Sequence, residues 1–189
     1  MSNKGRLIII SAPSGTGKTT VVRRLMAARP HLIHSVSWTT RSKRPTESDG
    51  LDYRFVDWDT FQKNVAEGGF AEWANVHGNF YGTPLNLIEQ GLKEGQDILL
   101  DIDVQGSLKL QDRFRGRTLS IFLLPPSPEE LERRLAGRGT DDPQARKKRL
   151  ENAKNEMALQ KRYDYRIVND DLEMACMEIL VLLDKDCPI

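Results

Sequence analysis

The residues best able to do chemistry come early. Ser11 to Thr20 read SAPSGTGKTT and follow directly on the apolar run LIII. Ala12, Gly17, Lys18 and Thr19 fall at the offsets of the phosphate-binding loop GxxxxGK[ST], with alanine at the first glycine position. In such a loop the backbone N–H groups of Gly15, Thr16 and Gly17, with the positive end of the following helix, form a concave anion site. Glycines let the chain curl against phosphate oxygens, Lys18 reaches the terminal phosphates, and the Thr19 hydroxyl suits Mg²⁺. Ala12 removes a glycine only at the loop entry, where a negative φ is acceptable. The expected nucleotide-binding stretch is Ala12, Pro13, Ser14, Gly15, Thr16, Gly17, Lys18, Thr19 and Thr20. An ordinary glycine-rich strand-to-helix turn is the plain alternative, and it has no need of a lysine and a hydroxyl at those offsets.

The elements around this loop must hold it. Leu7 to Ile10 form an unbroken apolar run, as a parallel strand buried on both faces requires, and TVVRRLMAA carries helix-period apolar positions. Further buried strands are expected at DILLDID, TLSIFLL and YRIVN. Helices are expected at Lys18 to Ala28, PSPEELERRLAG, PQARKKRLENAKNEMALQKR and Leu172 to Asp184. The alternation predicts an α/β fold, a central parallel sheet flanked by helices. The stretch from Leu32 to Pro84 differs: short alternating pieces, turn residues and most of the aromatic side chains mark an inserted lobe. GRGTDDP, between two arginine-rich helices, is a candidate flap.

A chain of 189 residues can bury one substantial core. Lys and Arg number 28 against 27 Asp and Glu, for a net charge of +1, so no global field points to nucleic acid or a membrane surface. Cys176 and Cys187 lack CxxC spacing or a histidine neighbour, which fits a reduced cytoplasmic protein better than a zinc site or a disulfide framework. No apolar stretch approaches the ~20 residues of a membrane span, and no secretory signal is apparent.

The inserted lobe carries VSWTTR, KRPTESDGLDY and FAEWANVHGNFYGT. Together with LDIDVQG, PPSPEELERRL and YDYRIVNDD, these segments resemble the guanylate kinase family in order and spacing, from about residue 6 to about residue 175. The resemblance implies ATP-dependent phosphorylation of GMP, and of dGMP as well, in purine nucleotide metabolism and GMP recycling. It also implies a core (about 5–33, 84–126 and 159–189), a mixed α/β GMP-binding lobe (about 34–83) and a helical lid (about 127–158). By resemblance, Arg41, Arg44, Tyr53 and Tyr81 grip the GMP phosphate, and planar arginine forks with phenol donors suit that task. Glu72 fits guanine, whose N1–H and N2 amine are adjacent donors that one carboxylate can accept, whereas adenine offers an acceptor at N1. Ser37, Thr83 and Asp103 resemble the family's other guanine-side contacts. Thr83 could also cap the helix that begins near Pro84. Arg134, Arg138 and Arg149 match lid and helix arginines that approach the transferring phosphoryl group, and Asn169 matches an adenine-side position.

Asp101, ending its strand beside the loop, stands where a carboxylate supporting Mg²⁺ would, although it could instead cap the next helix. The expected partners are ATP with Mg²⁺, GMP and dGMP, with neither nucleic acid nor membrane, for a monomer or homodimer. Two departures from the family pattern, Lys43 and Thr46, flank Arg44 and predict a phosphate-grip loop that takes a different path or is looser. His77 is assigned no catalytic role, and Arg133, Arg146, Lys147 and Lys148 are expected on an exposed basic surface. Two other functions compete: a peptide-recruiting module without catalysis, which has no need of Lys18, Thr19 and the three arginines, and a sugar-phosphate kinase, which has no need of Ser37, Glu72, Thr83 and Asp103.

Overall fold

The computed structural model describes residues 5–76, 78–136 and 143–184. Its main sheet is five-stranded in the order β2-β7-β1-β8-β9. The strands are β1 (Leu7–Ser11), β2 (Ile33–His34), β7 (Ile98–Asp101), β8 (Thr118–Leu124) and β9 (Tyr165–Val168). Every pairing in it is parallel. Side chains alternate across a strand, so the all-apolar β1 must be covered on both faces. Ile8 and Ile10 pack with Val21, Val22 and Leu25 of α1 (Lys18–Ala28) and with Ile179 of α7 (Leu172–Asp184). Leu7 and Ile9 pack on the other face with Ile88 of α3 (Leu85–Lys93) and Leu110 of α4 (Val104–Arg113). The chain leaves β1 for one side of the sheet (β2, β7) and later crosses to the other (β8, β9). Ligands bind at such switch points, beyond the carboxyl ends of the strands, and the glycine-rich loop lies there.

A second, four-stranded sheet has the order β4-β3-β6-β5. It is built from β3 (Trp38–Thr39), β4 (Arg54–Phe55), β5 (Phe70–Val76) and β6 (Asn79–Pro84), with α2 (Trp58–Ala66) between β4 and β5. Phe61 of α2 is fully buried and stacks on Phe70 at a centroid distance of 4.7 Å. The outer edge of β5 is not left open: Lys109 Nζ donates to Trp73 O (2.8 Å) and Arg113 Nη1 to Ala71 O (2.8 Å), both from α4. These bonds occupy edge carbonyls that would otherwise invite another strand, and they tie the second sheet to the main one. An Arg23–Asp52 ion pair makes another tie, from α1.

Strands and helices expected along the core are present: α1, β8 and α7 keep the expected bounds, and others end elsewhere. The strand read as DILLDID stops at Asp101, because Asp103 instead caps α4, its Oδ1 accepting from the N–H groups of Gln105 and Gly106. Ser127 and Pro128 open α5 (Pro128–Ala136), with Glu130 N–H donating to the Ser127 hydroxyl. The helix expected to reach Arg162 is α6 (Pro143–Ala158); there the chain tightens, Leu159 N–H donating to Glu156 O, and a 3₁₀ turn Gln160–Arg162 follows. Helices α3 and α4 stand where the cap readings of Thr83 and Asp101 implied a helix, and α2 is additional to the expected set. Among the described residues, no helix is long and apolar enough to cross a membrane.

Candidate functional site

The loop after β1 takes the shape its glycines permit. Gly15 and Gly17 have φ of 92° and 94°, conformations that side chains other than glycine rarely adopt. Gly17 stands at the N-cap of α1 with no side-chain cap, so the first N–H groups of that helix remain available to an anion. Asn169, expected at an adenine-side position, is 7% exposed, and its Nδ2 donates to Thr16 O at 2.7 Å. A Cβ on Gly17 would lie 2.8 Å from that same nitrogen, so the bare glycine is also what lets the brace approach. Arg134 of α5 reaches the same place: Nη1 lies 3.4 Å from Thr16 O and 3.3 Å from Asn169 O, while Nε donates to Glu130. The arginine therefore stands at the rim of the loop.

A cavity of about 190 Å³ adjoins the loop, lined by Lys18, Ser37, Tyr53, Glu72, Val76, Tyr81, Asp101, Ile102 and Asp103. It brings the loop lysine into one enclosure with five of the residues expected to hold the second substrate. Lys18 Nζ donates to Ile102 O at 3.1 Å. Glu72 owes its placement to an irregularity: Phe70 pairs with Pro84 but Glu72 pairs with Thr83, so the β5–β6 register shifts between them. Such a bulge re-aims the residue beside it. Glu72 is only 8% exposed, and Thr83 Oγ1 donates to its Oε1 at 2.7 Å. Its Oε2 is buried with no partner among the described residues.

Burial, with the Asp103 charge reinforcing it, pushes the Glu72 carboxyl up to about 7, against the Thr83 hydrogen bond and Lys109. Gly106 makes room for this carboxylate, since a Cβ there would stand 2.7 Å from Oε2. The expectation that Thr83 also caps α3 is corrected. Pro84 occupies the N-cap position without a side-chain bond, because the Thr83 hydroxyl is engaged by Glu72.

Arg41 joins the cavity through Tyr81. Arg41 Nε donates to the Tyr81 hydroxyl (3.3 Å), Nη1 to Ser42 O (2.7 Å) and Nη2 to Glu47 Oε1 (2.7 Å). Its guanidinium also lies over the rings of Tyr53 and Phe55, at 5.6 and 5.7 Å. Tyr53 packs edge-on against Tyr81 at 5.8 Å, and burial raises its phenol above the usual range. The Arg44 side chain extends to solvent, its Nη1 3.7 Å from Glu47 Oε1. Lys43 and Thr46 are both exposed. Glu47 bonds both to the Arg41 side chain and to the Arg44 backbone.

Asp101 does not cap a helix. His34 Nε2 lies 3.2 Å from its Oδ1, and Asp103 performs the capping. Asp103 therefore has Oδ1 committed to α4 while its side chain still lines the cavity. Glu156 of α6 also faces this region. Burial, with Asp103 adding to it, pushes its carboxyl up to about 7, opposed by Lys18. Arg149 lies half-buried on α6, and Arg133 and Lys148 are exposed as expected. Arg138, His77, Cys187 and the side chains of Arg146 and Lys147 fall outside the described residues.

Glu47, His34, Gly106 and Glu156 were not legible as site residues from their spacing. Of these only Glu47, three residues after Arg44 across Pro45, carried a turn signal. A second, open groove of about 570 Å³ runs along the outer side of β5. The lysine that borders it, Lys109, is already bonded to Trp73 O.

Fold and site thus define a phosphate-loop α/β protein with a second cleft that presents arginines and a buried carboxylate. Comparison with known proteins narrows the class. The family model described as guanylate kinase matches residues 4–186. The chain is 49% identical over 188 residues to a guanylate kinase of Syntrophotalea carbinolica, covering 99% of this chain and 89% of that one. It is 51% identical over 176 residues to a guanylate kinase of Nitratidesulfovibrio vulgaris, covering 93% and 84%. The crystal structure of guanylate kinase from Anaplasma phagocytophilum superposes with a TM-score of 0.81 at 36% identity, covering 96% of this chain and 85% of that chain. The chain belongs to the guanylate kinase family.

Proposed function

We propose that the loop and the adjoining cleft are the two halves of one phosphoryl-transfer site, in which the γ-phosphoryl group of ATP passes to the phosphate of GMP to give ADP and GDP. The observation that carries this reading is Glu72: a buried carboxylate with one oxygen held by Thr83 and the other unpartnered, on the wall of a cavity that also contains Lys18. An unsatisfied buried acceptor costs ~1–3 kcal/mol or more. The adjacent N1–H and N2–H donors of guanine would relieve that cost; adenine has no such pair.

The acceptor's phosphate is already an anionic nucleophile near neutral pH, so the reaction calls for alignment and fixed cations more than for a proton-abstracting base. Ser37, Glu72, Thr83 and Asp103 would orient the base, and Arg41, Arg44, Tyr53 and Tyr81 would hold the acceptor phosphate. Residues 12–20 would cradle the ATP phosphates, with Lys18 between the two anions. Arg134 and Arg149, joined by Arg138, would neutralise the transferring group. Asn169, expected on the adenine side, would also serve ATP by donating from Nδ2 to Thr16 O and holding the loop in shape.

The donor set suits Mg²⁺ in a supporting way. Among the described residues no cluster of three or more His, Cys, Asp or Glu could hold a metal by itself. The Thr19 hydroxyl and the Asp101 carboxylate are hard oxygen donors appropriate to an ion held chiefly by nucleotide phosphates. When bound, the ion would neutralise charge on the β- and γ-phosphates.

This reading extends to dGMP as a second acceptor, to a role in purine nucleotide metabolism and GMP recycling, and to a cytoplasmic monomer or homodimer with small-molecule substrates. A peptide-recruiting module is disfavoured by the intact loop and its brace. A sugar-phosphate kinase leaves the buried Glu72 without purpose. A coupled assay offering ATP with GMP, dGMP, AMP, CMP, UMP and ribose phosphates tests the choice. Turnover of GMP and dGMP, with the other acceptors at least ~100-fold poorer in kcat/KM, is expected; a preference for a sugar phosphate, or no turnover of any acceptor, refutes it.

A further inference from the structure

We propose that Glu47 is a positioning residue of the acceptor-phosphate site, locking the Arg41 guanidinium to the backbone at Arg44 so that a phosphomonoester meets one preformed cation beside the turn that carries the second. The inference rests on the reading of Arg41 and Arg44 given above, and adds a residue that the motif spacing did not mark.

The two oxygens of Glu47 do different work. Oε1 accepts from Arg41 Nη2 at 2.7 Å, and Oε2 accepts from the backbone N–H of Arg44 at 2.9 Å. The backbone closes the same turn in the opposite sense, Glu47 N–H donating to Arg44 O at 3.1 Å. Pro45 occupies the second position of that turn, where its fixed φ is favoured. The carboxylate is thus a clasp between one arginine's side chain and the other's main chain.

A glutamate that merely held the arginines' charge until substrate arrived would be expected to sit loosely at the surface and to leave when phosphate came. Glu47 is 13% exposed and Arg41 15% exposed in their ion pair, and releasing Oε2 would leave the turn that carries Arg44 with its backbone bond alone. Against burial, the bonds from Arg41 and from the Arg44 backbone hold the Glu47 carboxyl below its usual range, so the clasp stays ionised near neutral pH. Arg41 itself is boxed in by Tyr81, Ser42 and Glu47 on its edges and by Tyr53 and Phe55 at its faces. A guanidinium has five N–H donors. Three are used in these bonds, which leaves one on each terminal nitrogen for a ligand. Holding a long side chain in one rotamer before binding removes an ordering cost that the ligand would otherwise bear.

The test is Glu47→Gln, whose amide offers one acceptor oxygen and must give up either the Arg41 or the Arg44 bond. The expected result is a KM for GMP raised ~10-fold, with kcat and KM for ATP within ~3-fold of the parent, an unchanged thermal midpoint, and unchanged competitive inhibition by guanosine, which has no phosphate. An unchanged or lowered KM for GMP overturns the proposal, the latter because it would show Glu47 competing with the phosphate. A loss shared with guanosine, ATP or thermal stability overturns it too, as the mark of a merely structural role. Arg41→Met separates the two levels of inference. If it leaves KM for GMP unchanged, the acceptor-phosphate assignment fails; if it raises that KM while Glu47→Gln does not, only the role of Glu47 fails.

Discussion

The phosphate loop and the neighbouring cleft bind anions by opposite strategies. The loop is a contiguous stretch whose donors are backbone N–H groups, shaped by two positive-φ glycines and backed by Asn169 and Arg134. The cleft is drawn from residues just before β3 and β4, from β5 and β6 and from the β7–α4 junction, and its functional groups are side chains. The loop's phosphate-facing N–H groups can wait in water without much cost, although the Thr16 hydroxyl is buried without a partner among the described residues. The cleft's central carboxylate waits buried and half-satisfied, which raises its pKa and makes it demanding about what enters. A backbone cradle recognises phosphate in general, whereas a desolvated side chain discriminates between bases.

The sharpest break between the two regions is expected from Lys18→Ala. Turnover should fall ~1000-fold or more, as the loss of a fixed cation in phosphoryl transfer implies, while GMP affinity by calorimetry changes less than ~10-fold. Equal losses of both would mean that loop and cleft are not separate sites.

Glu72→Gln attacks the other half. It should lower kcat/KM for GMP by ~10- to 1000-fold with little change in KM for ATP, because an amide cannot accept both guanine donors. The pH profile sharpens this. The Glu72 carboxyl is raised from 4.5 to about 7 in the unliganded protein. Its protonated form is the one folding favours, so this contribution to stability is full below pH 4.5 and is lost as pH rises through 7. Capture of guanine needs the ionised form and runs the other way. The ratio of parent to variant kcat/KM for GMP should climb from pH 5.5 toward 7 and flatten above it, approaching ~10-fold per unit at the acid end. A flat ratio would remove ionised Glu72 from base recognition.

The smallest effect is expected where a side chain serves the backbone cradle. Asn169→Ala removes the brace on Thr16 O, worth ~1 kcal/mol for a buried neutral hydrogen bond. KM for ATP should rise about 3- to 10-fold with GMP affinity unchanged. A larger effect on GMP than on ATP would show the brace acting on the cleft.

How much was legible follows the same division. The loop could be read because its function depends on consecutive residues and on the strand and helix that flank it. The register of β1 against β7 and β8 then had to bury both its faces, as its unbroken apolar sequence required. The cleft residues were nameable only through several family-like segments taken together, since Arg41 alone or Glu72 alone is indistinguishable from a surface charge. Their partners were not legible at all. Nothing in the spacing announces that Glu47 folds back on two arginines, that His34 meets Asp101 from a different strand, or that Gly106 is bare to admit Glu72.

By itself, then, the amino-acid sequence determined the parallel core, the phosphate loop with its lysine and hydroxyl, and the identities of the charged groups offered to a second substrate. These depend on periodicity and short-range offsets, which a chain carries before it folds. Only the tertiary structure decided which carboxylates are caps, clasps or base-readers. That choice turns on desolvation and on neighbours distant in sequence: a bulge that sets Glu72 beside Thr83, and a helix start that claims Asp103 and leaves Asp101 to His34.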